Sequence, residues 1–370
     1  MQTTHKIHFS LAQQMQELSD NSVDLVVTSP PYPMIEMWDE IMNGQDTNIQ
    51  GLIAQSKGSE AFELMHLELD KVWNEVNRVI KKGGFVCVNI GDATRTLGEN
   101  FNLFANHARI ISHFVRMGFT NLPEIIWRKP TNSPNKFMGS GMLPAGAYVT
   151  LEHEFILIFR KGGKRIFKSD VEKLKRQQSA FFWEERNVWF SDLWTLTGTN
   201  QKLNNKNSRE RSAAYPFDLA YRLINMYSVK DDVVLDPFLG TGTTSLAALA
   251  SGRNSIGYEV DKHLSETIFE TLSSEKINLL NNLIKERLNN HLDFVQKRLT
   301  TKEDFDFKHF NENYKFPVMT SQEIQLIINF IYDIQNIDNQ VVAKYSEIPE
   351  MSFDYVKTIA KKSKQQELAF

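Results

Sequence analysis

The sequence predicts an α/β fold, a doubly wound and mainly parallel sheet, with a helical C-terminal appendage. Three observations predict it. Short β-type runs at residues 6–9, 24–28, 85–90, 124–128, 155–160, 233–236 and 255–259 alternate with stretches of helical period, the signature of a sheet built by crossovers. One such stretch, "FELMHLELDKVWNEVNRVI" at 62–80, repeats Met65, Leu69, Val72, Trp73, Val76, Val79 and Ile80 at spacings of three and four, so one helix face is apolar and docks on a sheet. Finally, "VVLDPFLGTGTTSLAALASGRNSIGYEVD" at 233–261 reads as one complete β-α-β unit.

Taken in order, the first strand runs into "SLAQQM", and the second, "VDLVV", stops at "TSPPYP". The 62–80 helix is expected to end at "KKGG", where Gly83 and Gly84 supply a left-handed exit into "FVCVNIGD". The stretch 129–150, "KPTNSPNKFMGSGMLPAGAYVT", is a long Pro/Gly/Ser/Asn-rich loop of the kind that serves binding. Residues 161–210 mix basic and aromatic character without a regular period. From about 265 onward helical periodicity returns, and "TSQEIQLIINFIYDIQNI" opens with a capping signal that predicts another helix. Four segments result: 1–128, 129–210 (which includes the late core strand 153–160), 211–264 and the helical appendage 265–370.

Composition excludes several classes. At 370 residues and 41% hydrophobic content the chain can bury a large core. Its longest apolar runs fall far short of the roughly 20 residues a membrane span needs, and the N-terminus lacks the pattern of a secretory signal, so a cytoplasmic protein is expected. A single cysteine, Cys87, rules out intrachain disulfides and a thiolate zinc site, and the nine histidines show no metal-binding spacing, so no metal is expected. Net charge is −3, yet "RKGGKRIFKSDVEKLKR" at 160–176 carries eight Lys/Arg against Asp170 and Glu172, and it reads as a patch for nucleic-acid phosphates.

The β-α-β unit points to a ligand. Its first strand stops at Asp236, followed by Pro237 and Phe238; Gly240 and Gly242 let a ligand approach the backbone. Thr243 opens a helix with free N–H groups, and Glu259 after the second strand can accept both hydroxyl hydrogens of a ribose. A nucleoside-bearing cofactor is implied. No Lys-Ser/Thr follows the glycines as a Walker loop requires, position 245 is Ser rather than the third Gly of a dinucleotide fingerprint, and Asp236 would repel a pyrophosphate. Asp236 suits a cation instead, and S-adenosyl-L-methionine offers an ammonium, a sulfonium and a ribose without phosphate.

"DPFLGTGTT" followed by "GYEVD", together with "TSPPYP", resembles the S-adenosylmethionine-dependent DNA amino-methyltransferases, whose hallmarks are D-P-F-x-G-[ST]-G and [SDN]-P-P-[YFW]. The target motif comes first and the cofactor motif some 200 residues later, the permuted order called β, and the likeness covers about residues 5–262. It implies a Rossmann-like methyltransferase fold, S-adenosylmethionine as cofactor and double-stranded DNA as substrate. It also implies a restriction endonuclease as genetic partner, with a monomeric or homodimeric enzyme. "RERSAAYPFDLAYRLI", with Pro216, is similar to the segment that holds the methionine end, although the family often has His where Arg211 stands. Ser10 stands where the family commonly has an Asp near the adenine.

That likeness gives "TSPPYP", a strand-end corner with few N–H donors, a chemical reading. An exocyclic amino group is a poor nucleophile because its lone pair is delocalised into the ring, and acceptors aimed at its hydrogens favour a pyramidal nitrogen. Ser29 and the Pro30 carbonyl are such acceptors, Pro30 and Pro31 contribute no N–H and fix φ, and Tyr32 offers a face for a flipped base. Cytosine C5 methylation needs a thiolate, and the mid-strand Cys87 is core. Ser rather than Asp before Pro-Pro favours N4 of cytosine, with N6 of adenine as the alternative. Two further readings stay open: methylation of a protein glutamine or an RNA by the same corner, and a non-catalytic DNA-binding module with a relict pocket.

Overall fold

A computed structural model describes residues 1–129, 138–196, 215–301 and 306–346. Arg211, residues 130–137 of the long loop and residues 347–370 of the appendage lie outside the described residues. Among the described residues the framework is a ten-stranded sheet. In chain order its strands are β1 (Gln2–His8), β2 (Val23–Thr28), β3 (Ile80–Ile90), β4 (Phe119–Arg128), β5 (His153–Lys161), β6 (Leu193–Thr195), β7 (Val233–Asp236), β8 (Asn254–Tyr258), β9 (Ile331–Ile337) and β10 (Gln340–Tyr345). Across the sheet they lie in the order β6-β4-β5-β3-β2-β7-β8-β1-β10-β9. Only β5 and β10 run against the rest.

Helices cover both faces because strand residues alternate between them. Val26, Val86, Val88 and Ile90 pack under helix α1 (Gly58–Val79) through Met65, Leu69, Val72 and Trp73. On the opposite face Leu25, Val27 and Cys87 meet α2 (Phe217–Tyr227) and α3 (Thr243–Ala250) through Leu219, Leu223, Ala247 and Ala248. This is the doubly wound, Rossmann-like arrangement expected. β2 and β7 are neighbours at its centre, with crossovers leading away on either side, and such a switch point opens a crevice at the strands' C-terminal ends.

Three expectations change. The α1 helix ends at Val79 and the strand starts at once, so Gly83 (φ +85°) is not a helix exit; it sits where the β2–β3 register slips, and a Cβ there would meet the Arg165 backbone at 2.8 Å. The appendage is helical in Ser265–Thr271 and α4 (Ile277–Thr301). Beyond, Thr320 does form a capping box with Glu323, but the helix lasts only through Ser321–Glu323, and the β-branched run that follows is β9, paired to β10 across Asp338; β10 in turn pairs with β1, so β9 is the edge strand.

The third change concerns the basic run. β5 carries the chain away from the crevice, so residues 161–176 lie at the other end of the sheet, where Arg165 forks onto Asp232 at 2.6 and 2.9 Å beside Asp24 at the start of β2. Lys161 donates to the carbonyls of Asn77 and Ile80 there. Both contacts staple the strands' N-terminal ends, away from the crevice.

Candidate active site

At the C-terminal ends of β2 and β7 a cavity of 340 Å³ brings together Ser29, Pro30, Pro31 and Tyr32 with Asp236, Pro237, Phe238, Gly240, Thr243 and Glu259. Two stretches 200 residues apart in sequence therefore form one site. Pro216 and Gly242 do not line it: Pro216 caps the start of α2, and Gly242 (φ +90°) makes the left-handed turn that starts α3. Tyr215, next to Pro216, takes the place in the wall. Ser10 is exposed at the rim.

Asp236 is 2% exposed, and its carboxylate accepts from Thr28 Oγ1 at 2.6 Å, Phe238 N at 3.0 Å, Thr244 Oγ1 at 2.5 Å and Tyr215 OH at 3.3 Å. Burial lifts its pKa above the ordinary aspartate value, while the Thr244 and Thr28 bonds act the other way. Glu259 holds the glycine loop from across the crevice, accepting from Gly240 N and Asp261 N, each at 2.8 Å, and burial raises its pKa too. The space a Cβ would take at Gly240 is open.

On the other wall Tyr32 OH donates to Glu154 Oε2 at 2.8 Å and lies 3.1 Å from Ser29 Oγ. Asn89 Nδ2, at the end of β3, donates to Tyr32 OH at 2.8 Å and to Glu154 Oε2 at 2.7 Å. Lys129 pairs with the second oxygen of Glu154 and sits 4.5 Å over the Trp127 ring. Burial, then the Glu154 charge, holds the Tyr32 phenol well above its usual pKa, so it stays a neutral donor. Sequence reasoning missed Asn89, Lys129, Glu154 and Tyr215. The signal available for Glu154 was an acid at the head of the apolar run "FILIF".

These walls fit an S-adenosylmethionine-like molecule. Carboxylates line the Asp236–Asp261 side, and among the described lining residues Lys129 is the only cationic side chain, already paired with Glu154. A phosphate would find no donor cluster; a cationic, hydroxyl-bearing nucleoside finds Asp236 and Glu259.

Comparison with known proteins agrees. The family model described as DNA methylase matches residues 23–270. This chain belongs to that family of DNA methylases. It is 50% identical over all 370 residues to the Type II methyltransferase M.MthZI of Methanothermobacter thermautotrophicus, spanning 99% of that protein. It is also 48% identical over 281 residues, 73% of this chain and 91% of the other, to M.MjaI of Methanocaldococcus jannaschii. A crystal structure of TTHA0409 from Thermus thermophilus, a putative DNA modification methylase complexed with S-adenosyl-L-methionine, is similar over 72% of this chain and 93% of its own at 32% identity and a TM-score of 0.55. The cofactor of this DNA methylase is S-adenosyl-L-methionine, and no helix among the described residues is long and apolar enough to cross a membrane.

Proposed function

We propose that this methylase transfers the methyl group of S-adenosylmethionine to N4 of a cytosine flipped out of a specific duplex sequence. The observation that carries the reading is the Ser29 hydroxyl, which lines the same cavity as Asp236 and Glu259 and lies 3.1 Å from the Tyr32 hydroxyl. The cofactor's ribose hydroxyls fit Glu259, its ammonium fits the buried negative charge of Asp236, and Phe238, Pro237 and Gly240 border the same half. Ser29 and the Pro30 carbonyl accept the amino hydrogens, and Tyr32 packs on the base. Bound there, S-adenosylmethionine would supply an electrophilic methyl whose C–S electron pair stays with sulfur as the amino nitrogen takes the carbon, and the proton the nitrogen then sheds would pass to water. Positioning supplies the rate.

Ser at the head of Pro-Pro-Tyr favours cytosine N4 over adenine N6. The names of M.MthZI and M.MjaI, both Type II methyltransferases, support a place in a restriction–modification system with a cognate endonuclease, acting in the cytoplasm where the DNA lies. DNA is proposed to meet the crevice end of the sheet, where residues 138–151 project between β4 and β5 with Met142 88% and Leu143 71% exposed. This part of 129–210, not the basic run, is the proposed recognition surface. Tritium transfer from labelled cofactor to duplex DNA, followed by nucleoside analysis, tests the reading. Labelled N4-methylcytosine is expected; labelled N6-methyladenine would overturn the choice of base.

A further inference from the structure

We infer that Glu154 is a positioning residue for methyl transfer: acting through the Tyr32 hydroxyl, it sets the direction of a hydrogen-bond chain that leaves Ser29 an acceptor for the target amino group. The inference rests on the reading of Ser29 given under Proposed function.

A serine hydroxyl by itself is ambiguous, because it has one hydrogen to donate as well as lone pairs to accept with. If that hydrogen pointed into the cavity it would face the lone pair that must attack the methyl group. The structure removes the ambiguity by counting hydrogens. Glu154 Oε2 can only accept, and it lies 2.8 Å from Tyr32 OH. Tyr32 has a single hydroxyl hydrogen; spent on the carboxylate, it is not available to Ser29, 3.1 Å away. The Ser29 hydrogen therefore goes to Tyr32, and although Asn89 Nδ2 also approaches Ser29 Oγ, at a long 3.5 Å, a lone pair of Ser29 is left to face the base. Reversing the chain would set the Tyr32 oxygen and Glu154 Oε2 lone pair against lone pair at 2.8 Å.

Two neighbours lock this sense. The two hydrogens of the Asn89 amide go to Tyr32 OH and Glu154 Oε2, at 2.8 and 2.7 Å. Turning the amide over would put its oxygen against the carboxylate. Lys129 takes the other Glu154 oxygen, so the carboxylate cannot swing away from Tyr32. Behind the ring, a Cβ at Gly91 would meet Tyr32 Cε2 at 3.0 Å, so the glycine lets Tyr32 sit where its hydroxyl reaches both partners.

The test is a set of single-turnover methylation rates on a duplex carrying the recognition site, with cofactor affinity measured by calorimetry. Glu154→Gln, Tyr32→Phe and Ser29→Ala are each expected to slow the chemical step about ten- to hundredfold, the range lost with a hydrogen bond to a charged partner, while cofactor affinity stays unchanged. Glu154→Gln combined with Tyr32→Phe should be no slower than the slower single variant, because both break the same chain; a merely structural role would not give that pattern. Wild-type rate in Glu154→Gln beside a slow Ser29→Ala overturns the role of Glu154 and leaves the acceptor corner standing. Wild-type rate in Ser29→Ala overturns the corner itself. Losses that multiply in the double variant place Glu154 outside the chain and also overturn the inference. Should Glu154→Gln fail to fold, Glu154→Asp, which withdraws the carboxylate by one methylene, serves in its place under the same criteria.

Discussion

Thr28 Oγ1 donates to Asp236 Oδ1 at 2.6 Å, joining the C-terminal ends of β2 and β7. Thr28 is the residue before Ser29, and Asp236 opens the glycine loop, so one buried bond sets the spacing between the target corner and the cofactor half. Thr28→Val keeps the shape and removes the donor. Loss of a bond to a buried carboxylate is expected to cost roughly 1.5–3 kcal/mol of folding stability, and the methylation rate should fall with the spacing. Denaturant unfolding beside single-turnover rates checks both; an unchanged midpoint and rate would mean that the junction is held without this bond.

Asp236 and Glu259 are expected to separate in their effects on cofactor binding. Asp236→Asn keeps one acceptor for Thr28 and Phe238 N, and its new amide can donate to the Thr244 and Tyr215 hydroxyls, but the negative charge is gone. S-adenosylmethionine should bind about ten- to hundredfold more weakly. Glu259→Gln keeps one of the two acceptors now on Gly240 N and Asp261 N and weakens the seat for the ribose. An analogue lacking the ammonium should lose affinity in Glu259→Gln but be indifferent to Asp236→Asn. Calorimetry decides; equal losses for cofactor and analogue in Asp236→Asn would move the ammonium elsewhere.

Lys230 gives a pH dependence of stability with a definite sign. It is buried, it donates to Asn329, and burial, reinforced by the Arg253 charge, pushes its pKa from 10.5 down to about 7. Between those values the unfolded chain holds a proton that the folded chain does not, so stability rises with pH across the window, and the penalty is full below about 7. Lys230→Met removes the titrating group. It should be more stable than wild type at neutral pH, by about 1–3 kcal/mol, with the gap closing as pH rises towards 10.5. Parallel unfolding curves at every pH would contradict this.

Local signals carried most of the fold. The spacing of Met65, Leu69, Val72 and Trp73 gave α1 its buried face, and the Asp-Pro-Phe and Ser-Pro-Pro runs marked strand ends because proline fixes φ and removes an N–H whatever surrounds it. Where partners distant in sequence decide, the reading failed. The Thr320 cap is real, yet pairing of β9 with β10 beside β1 outweighs the helix it starts. Glu154 stood out only as an acid at the head of an apolar run, because its role depends on Tyr32, 122 residues away. The basic run 160–176 read as a phosphate patch, but its Arg165 is paired with Asp232, 67 residues downstream.

The position of the basic run leads to a prediction about DNA. Binding to a duplex should weaken with salt at a log–log slope of about −0.9 per phosphate neutralised. Lys164 and Lys168 belong to the run at the far end of the sheet, so changing both to Gln should leave the slope as it is; Arg165 is left in place because it closes on Asp232. Arg128, at the crevice end of β4, is different. Its side chain is 61% exposed and its pairing with Glu152 is long, at 3.4 Å, so the guanidinium can exchange that carboxylate for a phosphate. Arg128→Gln should make the slope shallower by about 0.9 and weaken binding similarly on specific and unrelated duplexes, since a phosphate contact carries no sequence information. Cofactor affinity should not change. If the Lys164 and Lys168 substitutions flatten the slope and Arg128→Gln does not, the duplex runs along the opposite end of the sheet, and the crevice would have to receive its base by some other route.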